Sequence, residues 1–374
     1  MWLIIFGAVI VLTAVGVFYM VGCIGRFDAV KRIAGSGKWT RRLVSFGILA
    51  VCFAAAAVLF SPVNAIVIFL HVTVFFLLFG IVVRIVERLR GKKSAINWQG
   101  WLALGFSVVY LSVAYVLCSH VWQTNYQLRT EKDLGTLRIA LIADSHIGTT
   151  FDGEGFAGHL RTIEQQHPDL LVVAGDFVDD GTGKEDMLRA CRALGEMEVP
   201  LGVWYAYGNH DRGYSRDTEY TASELEKALR DNGVHILKDE AELVDGRFYV
   251  AGRCDRSFGV RKSMEELLSG LEKDKYIIVI DHQPNDYENE ADSAADLVLS
   301  GHTHGGQLIP ITYVGELFHI IDSTYGHENR KGTDFIVTSG ISDWELLFKT
   351  GTRSEYVIID VAEESETDKH SGEN

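Results

Sequence analysis

Cysteine is scarce in this 374-residue chain: there are five, and Cys23, Cys52 and Cys118 lie in long apolar stretches. The remaining two, Cys191 and Cys254, are open to a disulfide in an oxidising compartment, but sequence does not fix the separation such a bond needs. No cysteine spacing suggests a zinc knuckle or a thiol nucleophile. Acidic residues are nearly missing from the first 128 residues, which hold 2 of the 50 Asp and Glu but 11 of the 35 Lys and Arg. The remainder therefore carries 24 basic residues against 48 acidic ones and lacks a basic stripe, which counts against nucleic acid as a partner. Internal repeats are missing too. The one biased segment is the polar, acidic tail at 363–374, whose composition is that of a disordered end.

Charge is also nearly absent from four apolar runs, 2–24, 43–60, 64–86 and 101–122, with Arg84 the one charged residue among them. Each is close to the ~17–25 residues a helix needs to cross a bilayer, so residues 1–122 read as an all-α region of four transmembrane helices, with helices buried in a soluble core as the alternative. Ser61-Pro62-Val63 separates the second and third runs, and because proline interrupts a helix it predicts a tight hairpin. Basic residues cluster after the first run (Arg26, Lys31, Arg32, Lys38, Arg41, Arg42) and after the third (Arg88, Arg90, Lys92, Lys93), which assigns both loops to the cytoplasm. An even number of spans then puts the N-terminus and everything beyond Trp122 outside the cytoplasm. The chain is thus expected to be a multi-pass protein of the cell membrane. Met1-Trp2 offers no basic leader, so the first run reads as a retained span, not a cleaved signal.

Beyond a polar connector at 123–135, apolar runs of strand type (137–143, 170–174, 201–207, 276–280, 297–299) alternate with helical segments at 155–167, 185–196, 222–232 and 262–272. This alternation predicts an α/β domain over 136–362, with sheets covered by helices. Short apolar runs at 234–237, 241–244 and 248–251 suggest an added meander, and 334–339 and 355–361 supply late strands.

Five polar blocks follow the five main strands: Asp144-Ser-His146, Gly175-Asp176-Phe-Val-Asp179, Gly208-Asn209-His210-Asp211, Asp281-His282 and Gly301-His302-Thr-His304. Loops leaving a rigid sheet are where chemistry is carried. Carboxylates, imidazoles and one carboxamide gathered there form the donor set for two divalent cations. Held ~3.5–4 Å apart, such ions share a hydroxide and clamp the oxygens of a phosphoryl group. A carboxylate with several lone pairs, such as Asp176, suits a bridging position. The mixed nitrogen and oxygen set suits Mn, Fe, Zn or Co better than Ca.

The series Asp-x-His, Gly-Asp-x-x-Asp, Gly-Asn-His-Asp, a later lone His and Gly-His-x-His resembles the calcineurin-like metallophosphoesterase superfamily. The run Gly301-His-Thr-His-Gly-Gly-Gln307 is similar to its bacterial membrane-associated branch. The resemblance covers about 136–362 and implies a four-layer αββα sandwich that hydrolyses phosphate monoesters or diesters. Carried onto this chain, it implies one ion on Asp144, His146, Asp176 and His304, and a second on Asp176, Asn209, His282 and His302. It gives His210 a catalytic role beside the scissile phosphate and Asp179 the task of orienting that imidazole. Asp211 is expected to fix its loop.

Other residues carry weaker signals. His71 and His120 read as tolerated in or near spans, His235 as structural, and Arg253 and Arg256 as surface arginines. His327 has no partner visible in sequence, and Gly305-Gly306 reads as a point of close backbone approach. No bulky cap is expected between Asp211 and His282, which suggests an open site able to reach a lipid or envelope phosphoester. The rival readings are a nuclease or cyclic-nucleotide phosphodiesterase of the same superfamily, and a non-catalytic membrane sensor or scaffold. The latter would be expected to have lost a ligand or the catalytic His.

Overall fold

The computed structural model describes residues 2–212 and 219–364, without the side chains of 2–6 and 8–10. It divides into two compact units, Met1–Val116 with Glu345–Leu347, and Leu117–Trp344 with Phe348–Asn374.

The first unit is helical: α1 (Trp2–Ile24), α2 (Asp28–Ala34), α3 (Lys38–Phe60), α4 (Pro62–Arg90) and most of α5 (Trp98–Ser119). Three of these, α3, α4 and α5, are long and apolar enough to cross a membrane. The pair Val11–Ile24 and Asp28–Ala34, bent by 85°, makes four if it counts as one span. The hairpin expected at Ser61-Pro62-Val63 is tighter than the sequence suggested, because Ser61 alone separates α3 from α4. Its backbone turns at φ 117°, its hydroxyl accepts from Asn64 N, and Pro62 takes the first helical position, where no amide hydrogen is needed. Gly91, left-handed at φ 66°, ends α4 behind Arg88 and Arg90 in its last turn. Inside the unit, Gln99 ties helices together by accepting from Arg26 at 2.8 Å and donating to the Phe76 carbonyl at 2.8 Å.

The second unit contains two six-stranded sheets. In chain order the strands are β1 (Trp122–Thr130), β2 (Thr136–Ile142), β3 (Leu170–Ala174), β4 (Val203–Ala206), β5 (His235–Leu237), β6 (Glu240–Val244), β7 (Phe248–Gly252), β8 (Tyr276–Ile280), β9 (Leu297–Ser300), β10 (Gly326–Arg330), β11 (Thr333–Val337) and β12 (Glu355–Glu363). One sheet runs β1-β12-β2-β3-β4-β5 and the other β10-β11-β9-β8-β7-β6. β2 through β5 are parallel, as are β7, β8, β9 and β11, which leaves antiparallel pairs only toward the sheet edges and at β12 against β2.

The layering follows from period-two alternation along each strand. On β2, Ile139 and Leu141 face the interior between the sheets with Val172, Trp204, Phe248, Ile278 and Leu299. Ala140 and Ile142 face the opposite way, onto a second core shared with α6 (Gly153–Glu164), α7 (Lys184–Glu196) and α8 (Ala222–Asp231). The far face of the other sheet packs Ile277 and Val279 against the short helices Met264–Leu267 and Tyr287–Ala291. The result is helix, sheet, sheet, helix. Both sheets are covered on both faces, so their central strands read as nearly continuous apolar runs.

Several local expectations need correction. Residues 123–130, read as connector, and Trp122, read as the end of the fourth apolar run, form β1, which pairs in parallel with β12: its polar composition, Trp-Gln-Thr-Asn-Tyr-Gln, suits an edge strand. The helix expected over 262–272 is a single turn, and β10 escaped notice because Gly-His-Glu-Asn-Arg lacks apolar alternation. The meander is split: β5 joins the first sheet beside β4, while β6 and β7 form an edge of the second. Cys191 and Cys254 are free thiols. Glu363 closes β12, and 365–374 of the acidic tail lie outside the described residues.

Candidate metal centre

Each polar block leaves the C-terminal end of a parallel strand, the edge at which open α/β sheets present ligand sites. β2 delivers Asp144 and His146, β3 delivers Asp176, β4 delivers Asn209 and His210, β8 delivers His282, and β9 delivers His302 and His304. The turns are abrupt. Asp144, His146, Asp176, His302 and His304 all adopt positive φ, between 36° and 70°, a region that non-glycine residues avoid at a cost of about 1–3 kcal/mol each. Such strain at five donors persists only where the surroundings enforce it.

One enforcing group is Asp211. Buried, it accepts from the amides of Asp176 (2.9 Å), Phe177 (2.8 Å), Val178 (3.2 Å) and Gly208 (2.7 Å), binding the loops after β3 and β4 together as expected of a loop-fixing carboxylate. Its carboxyl is pushed up to about 6 by burial and by the neighbouring Asp176. Gly208 is obligatory for a steric reason: a Cβ there would stand 2.2 Å from Asp176 Oδ1 and 2.3 Å from Asp176 N.

Two groups of donors converge, Asp144 with His146 and His304, and Asp176 with His282 and His302. Within each group one donor atom per residue lies within 4.8 Å of the others. The hydrogen bonds around the imidazoles fix how they are presented. His282 Nδ1 lies 2.8 Å from the Ala174 carbonyl, an acceptor only, so Nδ1 carries a proton and Nε2 is the nitrogen presented to a cation. Nε2 faces Asp176 Oδ2 at 3.1 Å and Asn209 Oδ1 at 3.2 Å; despite burial, Asp176 holds the metal-free His282 well above its ordinary value, so a single proton stands where three electron-rich atoms meet. His146 repeats the arrangement: Nδ1 is 3.1 Å from Asp179 Oδ2, while Nε2 is buried without a hydrogen-bond partner and 3.8 Å from Asp176 Oδ2. His304 presents Nε2 to Asp144 Oδ1 at 3.9 Å, and its Nδ1 is 3.4 Å from Asp343 Oδ1 without hydrogen-bond alignment. Converging lone pairs in a buried setting call for a cation, and Asp176 Oδ2 lies between the two groups.

Burial and mutual charge set the proton affinities of the metal-free site. Burial pushes Asp144 up to about 7, against the pull of His282. Burial also acts to raise Asp176, but His282 and His146 overrule it and hold that carboxyl well below its ordinary value. Burial and then His282 bring His302 down to about 4, and burial with His146 holds His304 well below its ordinary value. These imidazoles are therefore neutral at pH 7, the form in which a histidine binds metal. His210 is half-buried and lowered by burial; its amide donates to Asp176 Oδ1 at 2.7 Å, and its ring centroid lies 5.0 Å from that of His146 and 5.1 Å from that of Trp344.

All nine residues singled out in sequence thus lie at these strand ends. Asp179, which the resemblance assigned to His210, lies 3.1 Å through Oδ2 from His146 Nδ1, accepts from Gly181 N at 2.8 Å, and acts on His210 electrostatically. His327 gains a partner the sequence did not reveal, Asp334 at 2.9 Å. Arg253 is no surface arginine: it is 2% exposed and pairs with Asp281 and Asp286 at 2.8 Å and with Glu290 at 3.1 Å, anchoring the residue before His282. Sequence reading also missed Asp343, which stands behind His304 and accepts from the Gln307 side chain of the Gly-His-Thr-His-Gly-Gly-Gln run. Its only signal was a lone acidic residue after a strand.

The match to a family model described as calcineurin-like phosphoesterase covers residues 137–306. A metallophosphoesterase of Aquifex aeolicus is 33% identical over 226 residues, an alignment covering 58% of this chain and 82% of that protein. A metallophosphoesterase of Campylobacter jejuni is 28% identical over 300 residues, 75% of each chain. A Danio rerio protein named as a transmembrane protein with a metallophosphoesterase domain is 28% identical over 61% of this chain, which spans 54% of its length. With the layered sheets and the paired donor groups, these likenesses place the chain in the calcineurin-like phosphoesterase family.

Proposed function

We propose that the protein is a membrane-anchored, metal-dependent phosphoesterase that hydrolyses phosphate monoesters or diesters, with its catalytic unit on the extracytoplasmic side. The observation that carries this reading is the convergence of His282 Nε2 with Asp176 Oδ2 at 3.1 Å and Asn209 Oδ1 at 3.2 Å, buried and held together only by a proton that a cation would replace. In this reading Asp144, His146, Asp176 and His304 hold one divalent ion and Asp176, Asn209, His282 and His302 the other, with Mn, Fe, Zn or Co suited to the donors. Bound there, the ion pair supplies Lewis-acid polarisation of the phosphoryl oxygens and acidifies a water.

The chain's own residues do the positioning. Asp179 and the Ala174 carbonyl hold His146 and His282 in the tautomer that turns Nε2 inward. His210, half-buried and anchored through its amide to Asp176, is set to hydrogen-bond a phosphoryl oxygen or to protonate the departing alkoxide, worth typically ~10²–10⁴ in rate. The apolar helices support anchoring, the basic loops the orientation, and the combination a lipid or envelope phosphoester as substrate.

The test assays the metal-loaded chain against monoester, diester and phospholipid substrates beside His210→Ala and Asp176→Asn. Both substitutions are expected to reduce turnover by at least ~10²; activity unchanged in both defeats the mechanism. Protease added outside sealed cells is expected to reach the catalytic unit, and protection there overturns the orientation.

A further inference from the structure

Five residues beyond His304 the chain enters a segment, Ile309 to Ile320, whose side chains contradict the rest of the second unit. Ile309, Ile311, Tyr313, Leu317, Phe318 and Ile320 are between 46% and 71% exposed. Among the other described residues from Leu117 onward, the large apolar side chains exposed outside this segment are scattered singly, as at Leu188, Leu243 and Val260. A run of this kind on a unit that is otherwise polar and acidic at its surface marks a contact with something apolar.

The segment is built into the metal-bearing turn. Gly306 lets it return close over the ligand loop, since a Cβ there would meet Thr312 Cα at 2.2 Å. Thr312 Oγ1 donates to the Gly306 carbonyl at 3.3 Å, and Thr303 Oγ1, between His302 and His304, donates to the Thr324 carbonyl at 2.6 Å. Asp322 N donates to the Pro284 carbonyl at 2.8 Å, and Ile309 N to Thr350 Oγ1 at 2.8 Å. The one carboxylate in the run, Glu316, turns back to accept from Thr324 N at 2.6 Å. Both ends are therefore fastened near the ligand turn, Thr312 and Glu316 bond back to Gly306 and Thr324, and the exposed side chains are mostly apolar, with His319 and the Tyr313 hydroxyl among them.

We infer that this face docks into the interfacial layer of the bilayer that the chain's own helices cross, carrying the mouth of the metal centre to the membrane surface. A bilayer is the occupant within reach: α5 ends at Ser119 and β1 starts at Trp122, so the tether spans no more than about 11 Å when fully extended. Isoleucine, leucine, phenylalanine and tyrosine side chains are those that enter the boundary between headgroups and acyl chains. Because the unit is acidic overall, insertion is driven by apolar burial and not by attraction to anionic lipid, so added salt does not release it. The inference rests on the membrane-anchor reading and not on turnover.

The experiment uses the full chain in phosphatidylcholine vesicles, with the accessible Cys52 and Cys254 replaced by serine and a polarity-sensitive dye on Phe318→Cys or, in a second variant, Leu317→Cys. The expected result is a blue-shifted emission, quenched several-fold more by nitroxide on the lipid chains than the same dye on Val260→Cys, and unchanged by added salt. Quenching no stronger than at Val260→Cys overturns the inference. So does quenching that appears in detergent on adding single phospholipid molecules, which would mean an acyl-chain pocket, or quenching between labelled copies that follows protein density, which would mean a dimer face. The readout needs no catalysis, so failure of the phosphoesterase reading leaves it interpretable.

Discussion

Asp343→Asn removes one negative charge from behind His304 while keeping the shape of the side chain. Asp343 is fully buried; its Oδ1 lies 3.4 Å from His304 Nδ1 and accepts from Trp344 N at 2.9 Å and from Gln307, while its Oδ2 is 3.7 Å from the buried ammonium of Lys349. Burial pushes the Asp343 carboxyl up and Lys349 opposes it. A carboxylate standing behind a metal-binding imidazole is worth ~10–100-fold in metal affinity, or about 1.4–2.8 kcal/mol. A second effect runs in parallel. Lys349 Nζ, which donates to the Ser339 carbonyl at 2.7 Å, loses its counter-charge, and an uncompensated buried charge costs about 3–5 kcal/mol, the lower end applying here because the pair is long. The double variant Asp343→Asn with Lys349→Met removes the orphaned charge. It is expected to recover most of the stability and none of the metal affinity. Chelator-competition titration of metal, paired with urea unfolding of the chain in detergent, separates the two effects. Metal affinity within about twofold of the parent in the single variant refutes the orienting role, a tenfold loss being 1.4 kcal/mol. Affinity restored in the double variant assigns the loss to unfolding instead.

Three further predictions follow from buried groups. Gly208→Ala drives a methyl into the Asp176 carboxylate and backbone, so turnover should fall at least ~10²-fold with unchanged far-UV circular dichroism; parental activity would show that the loop can yield. In Arg253→Met, Asp281 keeps Arg261 at 2.9 Å but loses its more buried partner. Glu290, pushed well up by burial and by Asp281, loses the guanidinium that opposes that shift, so the urea-derived stability should fall by about 3 kcal/mol, and a loss under ~1 kcal/mol would refute the anchoring argument. Burial pushes the Cys191 thiol up to about 12, so at pH 8 its thiolate fraction is about one in ten thousand and iodoacetamide should label it only as the unit unfolds. The folded state keeps this proton while an unfolded thiol releases it near ~8.5, so the associated stability is intact below that pH and is lost as pH rises toward 12. Rapid labelling of the folded chain would contradict the burial.

The legible parts of the fold and the site were those written in local pattern. Continuous apolar runs such as Tyr276–Ile280 and the polar blocks that end them identify buried parallel strands and their loops without reference to the rest of the chain. β1 was illegible because an edge strand paired on one side needs no apolar alternation, and β5 was misassigned because sheet membership depends on partners distant in sequence. Asp343 and Arg253 were missed for a related reason. Their meaning lies in what they face, His304 and Asp281, and neither spacing nor residue type records that. The apolar run at 309–320 was overlooked because exposure, not composition, makes it unusual.

The two donor groups are each drawn from both sheets: Asp144 and His146 with His304, and Asp176 with His282 and His302. Ions held there would act as rivets between the halves of the sandwich, joining positions 144 and 304, or 176 and 282, that lie far apart along the chain. Closing loops of that length restricts the unfolded ensemble in the manner of a cross-link. In a chain whose cysteines are all free, that mechanical duty would fall to any ions bound there, and stripping them should let the sheets part first at the end that carries the donors.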